Sequence, residues 1–325
     1  MLSILPRLSR SVRSISTSSQ LRTSPPPFPY ERIHTPVMLN EVIQHLNPQD
    51  GRTYLDGTFG EGGYTKKLLD TANCSVTALD QDPTAIDKAE KLAALYPGRL
   101  SARWMQFGDL GNLQSKFDGI VLDIGVSSSQ IASEDRGFSF QLADSPLDMR
   151  MSYSQEHGAL TRLLPAHAIV NQFSVEKLTH IFRTYGQERH ARAIAKEIDR
   201  RRATAPITTT GELVEAVLAA VPKSYKWQIH PATRVFQSLR IEVNDELGQL
   251  DRALDAAVEA LNPGGRLVVV SFHSLEDAVV KKRFRAWTDS EAVQSLTRKV
   301  VTPSEAEVSE NPRARSAKLR AIEVL

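Results

Sequence analysis

Thr53-Tyr-Leu-Asp56-Gly-Thr-Phe-Gly60-Glu-Gly62-Gly63-Tyr64 reads as a short strand that runs into a glycine turn and then a helix. Glycines at such a place let the backbone bend tightly and come close to a ligand. Ser75–Asp80 is a second strand, ending in an acid 24 residues after Asp56. Asp82-Pro83 then supplies a helix cap and a proline at the first helical position. That helix carries Ile86, Ala89, Leu92, Ala93 and Tyr96 on one face and stops at Pro97-Gly98. Gly119–Ile124 is a third strand, with Asp123 at its end. This alternation predicts an α/β fold, a mostly parallel Rossmann-like sheet with helices on both faces.

The rhythm breaks between about 130 and 235, where amphipathic helices replace strands. One begins near Ser174 with Leu178, Ile181 and Phe182 as its apolar stripe. A second spans roughly 187–201 and buries Ala191, Ile194, Ala195 and Ile198; a third starts near Thr210 and ends at Pro222. Asn244 then opens a long helix with Leu247, Leu250, Leu254, Val258 and Leu261, stopped by Asn262-Pro-Gly-Gly265. Arg266–Phe272 is a buried-type strand, and Ser274 caps the helix after it. Leu319–Leu325 adds a final strand. The expected organisation is a discontinuous α/β domain, residues 31–130 plus 236–325, with an all-helical domain inserted at 131–235.

Residues 1–30 have a different character. They hold Arg7, Arg10, Arg13 and Arg22, eight serines and no acid. An arginine- and serine-rich, acid-free opening is the make-up of a mitochondrial transit peptide, and Pro25-Pro26-Pro27 reads as an extended linker after it. The expected location is the mitochondrial matrix. Net charge is +2 for the 325-residue chain and +4 for residues 1–30, which leaves −2 for the rest. Overall charge therefore says nothing about nucleic acid, and local patches must carry that case. No stretch approaches the roughly 20 apolar residues needed to cross a bilayer, so no membrane partner is expected. The single Cys74 excludes an internal disulfide framework and reads as a small buried hydrophobe. The eight histidines and one cysteine show no close ligand spacing, so no required metal is expected.

In an open α/β sheet the ligand sits outside the carboxyl ends of the strands. Three such ends carry the Gly60–Gly63 turn, Asp80 and Asp123. An acid at the place of Asp80 can take both hydroxyls of a ribose. A dinucleotide fingerprint would need a third glycine where Thr65 stands, and no Arg or Lys lies in the turn to assist a pyrophosphate. S-adenosylmethionine has no phosphate and carries a cationic sulfonium, which suits a pocket lined by Asp56, Asp80 and Asp123. A methyltransferase is therefore favoured over a nicotinamide dehydrogenase.

These and further segments resemble the small-subunit ribosomal RNA (cytosine-N4)-methyltransferases of bacteria and their mitochondrial counterparts. The resemblance rests on His34-Thr-Pro-Val-Met-Leu39, Asp56–Gly63, Leu79-Asp-Gln-Asp-Pro83, Asp118–Ser128, Arg136-Gly-Phe-Ser-Phe140 and Pro146-Leu-Asp-Met-Arg-Met151. It continues through Tyr185-Gly-Gln-Glu-Arg189, His230-Pro-Ala-Thr-Arg234, Ser271-Phe-His-Ser-Leu-Glu-Asp277 and Glu310-Asn-Pro-Arg-Ala-Arg-Ser316. It implies a class I methyltransferase fold with an inserted helical substrate domain. It also implies methyl transfer from S-adenosylmethionine to a cytosine N4 amine in small-subunit rRNA. By family position the cofactor contacts fall on Gly62, Gly63, Tyr64, Asp80, Leu110, Asp123 and Gln130. Tyr64 and Leu110 stand where bacterial members have His and Phe, which alters packing without removing a charge. Gly60 joins the set from its place in the turn.

For catalysis, Asp123 is a candidate acceptor for the N4–H group, and His273 a candidate at the rim of the site. Arg189, Arg192, Arg200, Arg201, Lys281, Lys282, Arg313 and Arg315 are candidate RNA contacts, since they fall in three basic clusters on a chain of small net charge. Phe138, Phe140 and Tyr153 are candidates for stacking on a base. The partner is small-subunit rRNA or the assembling subunit, and both monomer and homodimer are compatible with the sequence. A non-catalytic ribosome-assembly factor that keeps the fold is the alternative, disfavoured by the intact Gly62, Gly63, Asp80 and Asp123.

Overall fold

A computed structural model describes residues 36–154, 157–159, 163–222 and 229–325. The leader, the proline linker and His34-Thr35 lie outside the described residues. From Pro36 onward the chain order is α1 (Leu39–Leu46), β1 (Thr53–Asp56), α2 (Gly63–Thr71), β2 (Ser75–Asp80), α3 (Pro83–Ala93), β3 (Leu100–Trp104), β4 (Phe117–Asp123) and α4 (Ser128–Ala132). A small hairpin, β5 (Tyr153–Ser154) and β6 (Gly158–Ala159), precedes helices α5 (Ala166–Gln172), α6 (Val175–Thr184), α7 (Ala191–Arg202), α8 (Thr210–Ala220) and α9 (Pro231–Asn244). The chain ends with α10 (Glu246–Ala260), β7 (Leu261–Ser271), α11 (Ser274–Asp289), β8 (Val293–Ser295), α12 (Glu305–Glu310) and β9 (Lys318–Val324).

Seven strands form one sheet in the order β3-β2-β1-β4-β7-β9-β8. Every pairing from β3 across to β7 is parallel, and only β9 runs against its neighbours. The apolar runs make such a sheet, because alternate residues go to opposite faces and both faces are covered. Tyr54, Ala78, Val121 and Val268 join the core under α1, α2 and α3. Leu55, Leu79, Ile120, Val269 and Leu267 join the core under α10 and α11. The chain winds outward from β1 to β3, then returns to β4 on the other side of β1. The gap between the carboxyl ends of β1 and β4 is the crevice where this topology binds ligands.

Helices α5 to α9 pack around a cluster of their own, built on Leu178, Phe182, Ile194, Ile198, Leu213, Val235 and Leu239. Asn244 stitches that cluster to the sheet. Its carboxamide accepts the Met151 N–H at 2.8 Å and donates to the Met149 carbonyl at 2.8 Å.

The sequence reading needs four corrections. Asn244 does not open a helix: it is the last residue of α9, and Asp245, at φ 48°, turns the chain into α10. The start of α9 is a His230 cap followed by Pro231, a signal that the Leu periodicity further on overshadowed. Strand β3 was not foreseen because its Leu-Ser-Ala-Arg-Trp pattern belongs to a half-exposed edge rather than a buried run. Strand β7 starts at Leu261, with its register to β4 shifting where Asn262–Gly265 passes. The cap of α11 is His273 rather than Ser274.

Candidate active site

The glycine turn is built on Asp56, which ends β1 and is fully buried. Its carboxylate accepts the Thr58 N–H at 3.2 Å and the Thr65 hydroxyl at 2.7 Å. Burial pushes this carboxyl up to about 6, with the two threonine bonds working in the opposite direction. Thr58 in turn accepts the Asp123 N–H at 2.7 Å, and Gly57 donates to the Val121 carbonyl at 3.0 Å. On the other side the Gly60 N–H donates to Asp80 at 2.8 Å. One turn therefore touches both acids, and Gly60, Asp80 and Asp123 surround it.

The glycines do different things. Gly60 and Gly62 have φ of 54° and 77°, a region that L side chains enter only with strain. A Cβ on Gly60 would meet nothing closer than 3.9 Å, so the turn keeps open space there. A Cβ on Gly63 would lie 2.0 Å from Cγ of Pro36, so this glycine seats the segment entering α1. Tyr64 is buried, its hydroxyl donating to the Val37 carbonyl.

Asp80 accepts Gly60 N–H on one oxygen and Asp82 N–H, at 2.8 Å, on the other. Burial raises it to about 7; the two backbone donors oppose this, and the Asp82 and Asp56 charges add to it. Asp123 is pushed up to about 8 by burial first and by Asp56 next, with Tyr64 partly offsetting them and Glu276 adding a little. Its Oδ1 is buried without a hydrogen-bond partner among the described residues. Three crowded acids, one with an unmatched oxygen, form a place that a cation relieves. The donor set thus fits the sulfonium of S-adenosylmethionine, with Asp80 facing a ribose.

Residues 31–325 match the MraW methylase family. The chain belongs to that family. The methylase is 45% identical over 301 residues to the ribosomal RNA small subunit methyltransferase H of Ehrlichia chaffeensis, covering 89% of this chain and 99% of the relative. It is 47% identical over 312 residues to the protein of the same name from Rhodospirillum centenum, covering 90% and 92%. With that of Granulibacter bethesdensis the identity is 48% over 316 residues, covering 90% and 91%. The sheet is that of a class I methyltransferase, and the methyl donor is S-adenosylmethionine.

Other expected residues in the methylase are placed as follows. Gln130 is buried; its amide donates to Asp82 at 2.8 Å while its oxygen accepts the Ser127 N–H, closing the capping box of α4. Leu110 is 1% exposed and spends its side chain in the core shared with α10. Asp82 also pairs with Arg136 at 3.0 Å, both buried, and Arg136 donates to the carbonyls of Arg150 and Met151. Sequence reading missed this knot, which joins three of the quoted segments. Its only signal was an Asp-Pro and a lone Arg far apart in the chain.

The basic residues divide. Arg189, Arg192, Lys281, Lys282, Arg313 and Arg315 are exposed. Arg200, also exposed, and the half-buried Arg201 both bind Glu197, at 2.7 and 2.9 Å, and hold that carboxyl down at about 2. Among the aromatics, Phe140 stacks on His230 with centroids 5.0 Å apart, and Arg150 covers Tyr153 at 4.0 Å. Phe138 and Phe140 pack on the helical core. A groove of about 630 Å³ between α2 and α3, rimmed by Lys66, Lys67, Lys88 and Lys91, is lined by none of the three acids. Gly62 and Gly63 of the turn also line it.

His273 sits two residues beyond β7, whose Val270 pairs with Asp123. Its Nδ1 accepts the Glu276 N–H at 3.3 Å, and the Glu276 carboxylate returns to the N–H groups of Phe272 and His273. Folding also brings Glu246 to this pair, with ligand-type atoms of the three within 4.8 Å of one another. Two bonds make the trio poorly suited to a metal ion. Arg240 occupies both oxygens of Glu246, at 2.7 and 2.8 Å, and an Nδ1 that accepts a hydrogen bond leaves the proton on Nε2.

Proposed function

We propose that this methylase transfers a methyl group from S-adenosylmethionine to the N4 amine of a cytosine in small-subunit rRNA, in mitochondria. The observation that carries the reading is the buried, unmatched Oδ1 of Asp123 beside the turn that also holds Asp80. When bound, S-adenosylmethionine supplies an electrophilic methyl group. Asp80 holds the ribose hydroxyls on its remaining lone pairs, and the Gly60–Gly63 backbone passes close beside the cofactor. Tyr64, Leu110 and Gln130 back this site, and Gln130 acts through Asp82.

A cytosine N4 amine is a poor nucleophile because its lone pair is delocalised into the ring. Asp123 accepts a hydrogen bond from N4–H and so stabilises positive charge as it develops there. A neighbouring cation would bring the Asp123 carboxyl down from its raised position, keeping Oδ1 an acceptor. His273 stands at the next strand end over. The target base leaves its stack to reach these groups, at least cost from a single-stranded segment. The helical part, residues 131–235, presents the exposed Arg189 and Arg192 to phosphates, α11 presents Lys281 and Lys282, and the turn Pro312–Ser316 presents Arg313 and Arg315. Arg200 and Arg201 serve α7 itself. The arginine-rich, acid-free first 30 residues support mitochondrial import, and relatives named for the small-subunit rRNA support the substrate.

Mapping of N4-methylcytosine in mitochondrial small-subunit rRNA, with and without the gene, tests the proposal. Loss of one modified cytosine is expected on deletion; an unchanged map refutes the target.

A further inference from the structure

Three polar atoms, at the end of β4, just past β7 and in the first turn of α11, are buried and lack a hydrogen-bond partner among the described residues: Asp123 Oδ1, His273 Nε2 and Glu276 Oε1. Two are acceptors. The third is a donor, because the capping contact at Nδ1 puts the imidazole proton on Nε2. Nε2 and Oε1 lie 2.9 Å apart, yet their alignment does not make a hydrogen bond. Glu276 is fully buried, and the His273 side chain keeps 13% exposure, which places the pair just beneath the surface. The capping box fixes both side chains, so the donor and the acceptor stand side by side and cannot readily turn to satisfy themselves. Buried groups left unmatched cost a fold stability, and a bound ligand that supplies their partners is one way such a cost is met.

The geometry points to His273 and Glu276 as the pair that reads the Watson–Crick edge of the target base, a specificity site resting on the methyl-transfer function proposed above. His273 Nε2–H donates to N3 of cytosine, and Glu276 Oε1 accepts the adjacent N4–H. Asp123 Oδ1 remains for the second N4–H. The 2.9 Å spacing suits two neighbouring atoms of one base edge. Uracil offers the reverse pattern, O4 as acceptor and N3–H as donor, so both contacts become donor on donor and acceptor on acceptor. A site built this way rejects the wrong base because its own buried groups stay unpaired.

The test uses the full chain and RNA oligonucleotides that span the mapped cytosine, carrying cytidine, 3-deazacytidine or uridine at that position. His273→Asn is the informative variant, since asparagine is itself a good cap and keeps an acceptor for the Glu276 N–H while losing the Nε2 donor. For the wild type, 3-deazacytidine, which lacks the N3 acceptor, is expected to lower kcat/KM about tenfold or more. His273→Asn should lower kcat/KM on cytidine by a similar factor, with S-adenosylhomocysteine affinity and Tm held near wild type. The two losses should not add: the variant should treat cytidine and 3-deazacytidine alike. Glu276→Gln should lower kcat/KM on cytidine and 3-deazacytidine by the same factor, and should let the uridine oligonucleotide compete for binding more strongly than it does with the wild type. Equal turnover of cytidine and 3-deazacytidine by the wild type, or additive losses in His273→Asn, would overturn the assignment while leaving the methyl-transfer function standing. A wild-type enzyme that methylates none of the oligonucleotides and no subunit particle overturns both.

Discussion

Replacing Asp80 by asparagine separates cofactor binding from folding. In the fold, the carboxylate accepts two backbone N–H groups at 2.8 Å, from Gly60 and Asp82. An amide keeps one acceptor and turns an NH2 toward the other donor, which costs about 1–3 kcal/mol. Removing a buried carboxylate offsets part of that loss, so Tm should move little at neutral pH. For the cofactor, two charge-assisted bonds to ribose hydroxyls become at most one neutral bond. At about 1.5–3 kcal/mol for a bond to a charged group, the net loss is roughly 2–4 kcal/mol, or about 30- to 700-fold in Kd. Isothermal titration with S-adenosylhomocysteine reads this directly. The same titration has a pH signature. Burial lifts the Asp80 carboxyl to about 7, so affinity should rise with pH between 6 and 8 in the wild type and rise less steeply in Asp80→Asn, where only Asp123 and Asp56 still titrate. The sign for stability is opposite. An acid raised in the fold above its unfolded value makes the fold more stable as pH falls from about 7 toward 4, and the variant loses that part of the dependence. A Kd for Asp80→Asn within threefold of wild type, with native circular dichroism, would refute the placement of the ribose at Asp80.

Other substitutions sort the rest of the site. Gly60→Ala places its Cβ in open space and should weaken S-adenosylhomocysteine binding at a cost in stability of only about 1–2 kcal/mol. Gly63→Ala drives a methyl into Pro36 and should lower stability by about 1–3 kcal/mol or more in urea melts; equal Tm for the two would contradict this division. Arg136→Met strands the buried Asp82 charge and should destabilise by about 3–5 kcal/mol, read from the denaturation midpoint at constant m. Arg189→Ala and Arg192→Ala should each weaken RNA binding and reduce the slope of log K against log salt by about 1, whereas Arg200→Ala should leave that slope unchanged because its guanidinium is already bound to Glu197. A slope change in Arg200→Ala alone would reverse the assignment of the basic face.

Local chemistry decided much of this protein before any folding. Period-two and unbroken apolar runs marked β1, β2, β4 and the body of β7, because a residue pointing into one layer or the other must be apolar whatever its partner. The Asp82-Pro83 cap and the helix starts near Ser174 and Thr210 were readable, since a cap acts within three residues. The glycine turn and the acids at strand ends were likewise visible as a chain-order pattern. Only the tertiary structure showed what those acids do to one another. Crowding by Asp56 and burial raise Asp123, and an orphan oxygen exists only when every neighbour has been placed. It alone showed that Arg200 and Arg201 share Glu197, because a charge run in sequence does not say which acids curl back to meet it. The Asp82–Arg136 knot and the His273–Glu276 pair beside Asp123 belong to the same class. Asp82 and Arg136 come from distant segments, and the His273–Glu276 pair, although local in itself, meets Asp123 only because β7 lies beside β4, which no spacing along the chain encodes.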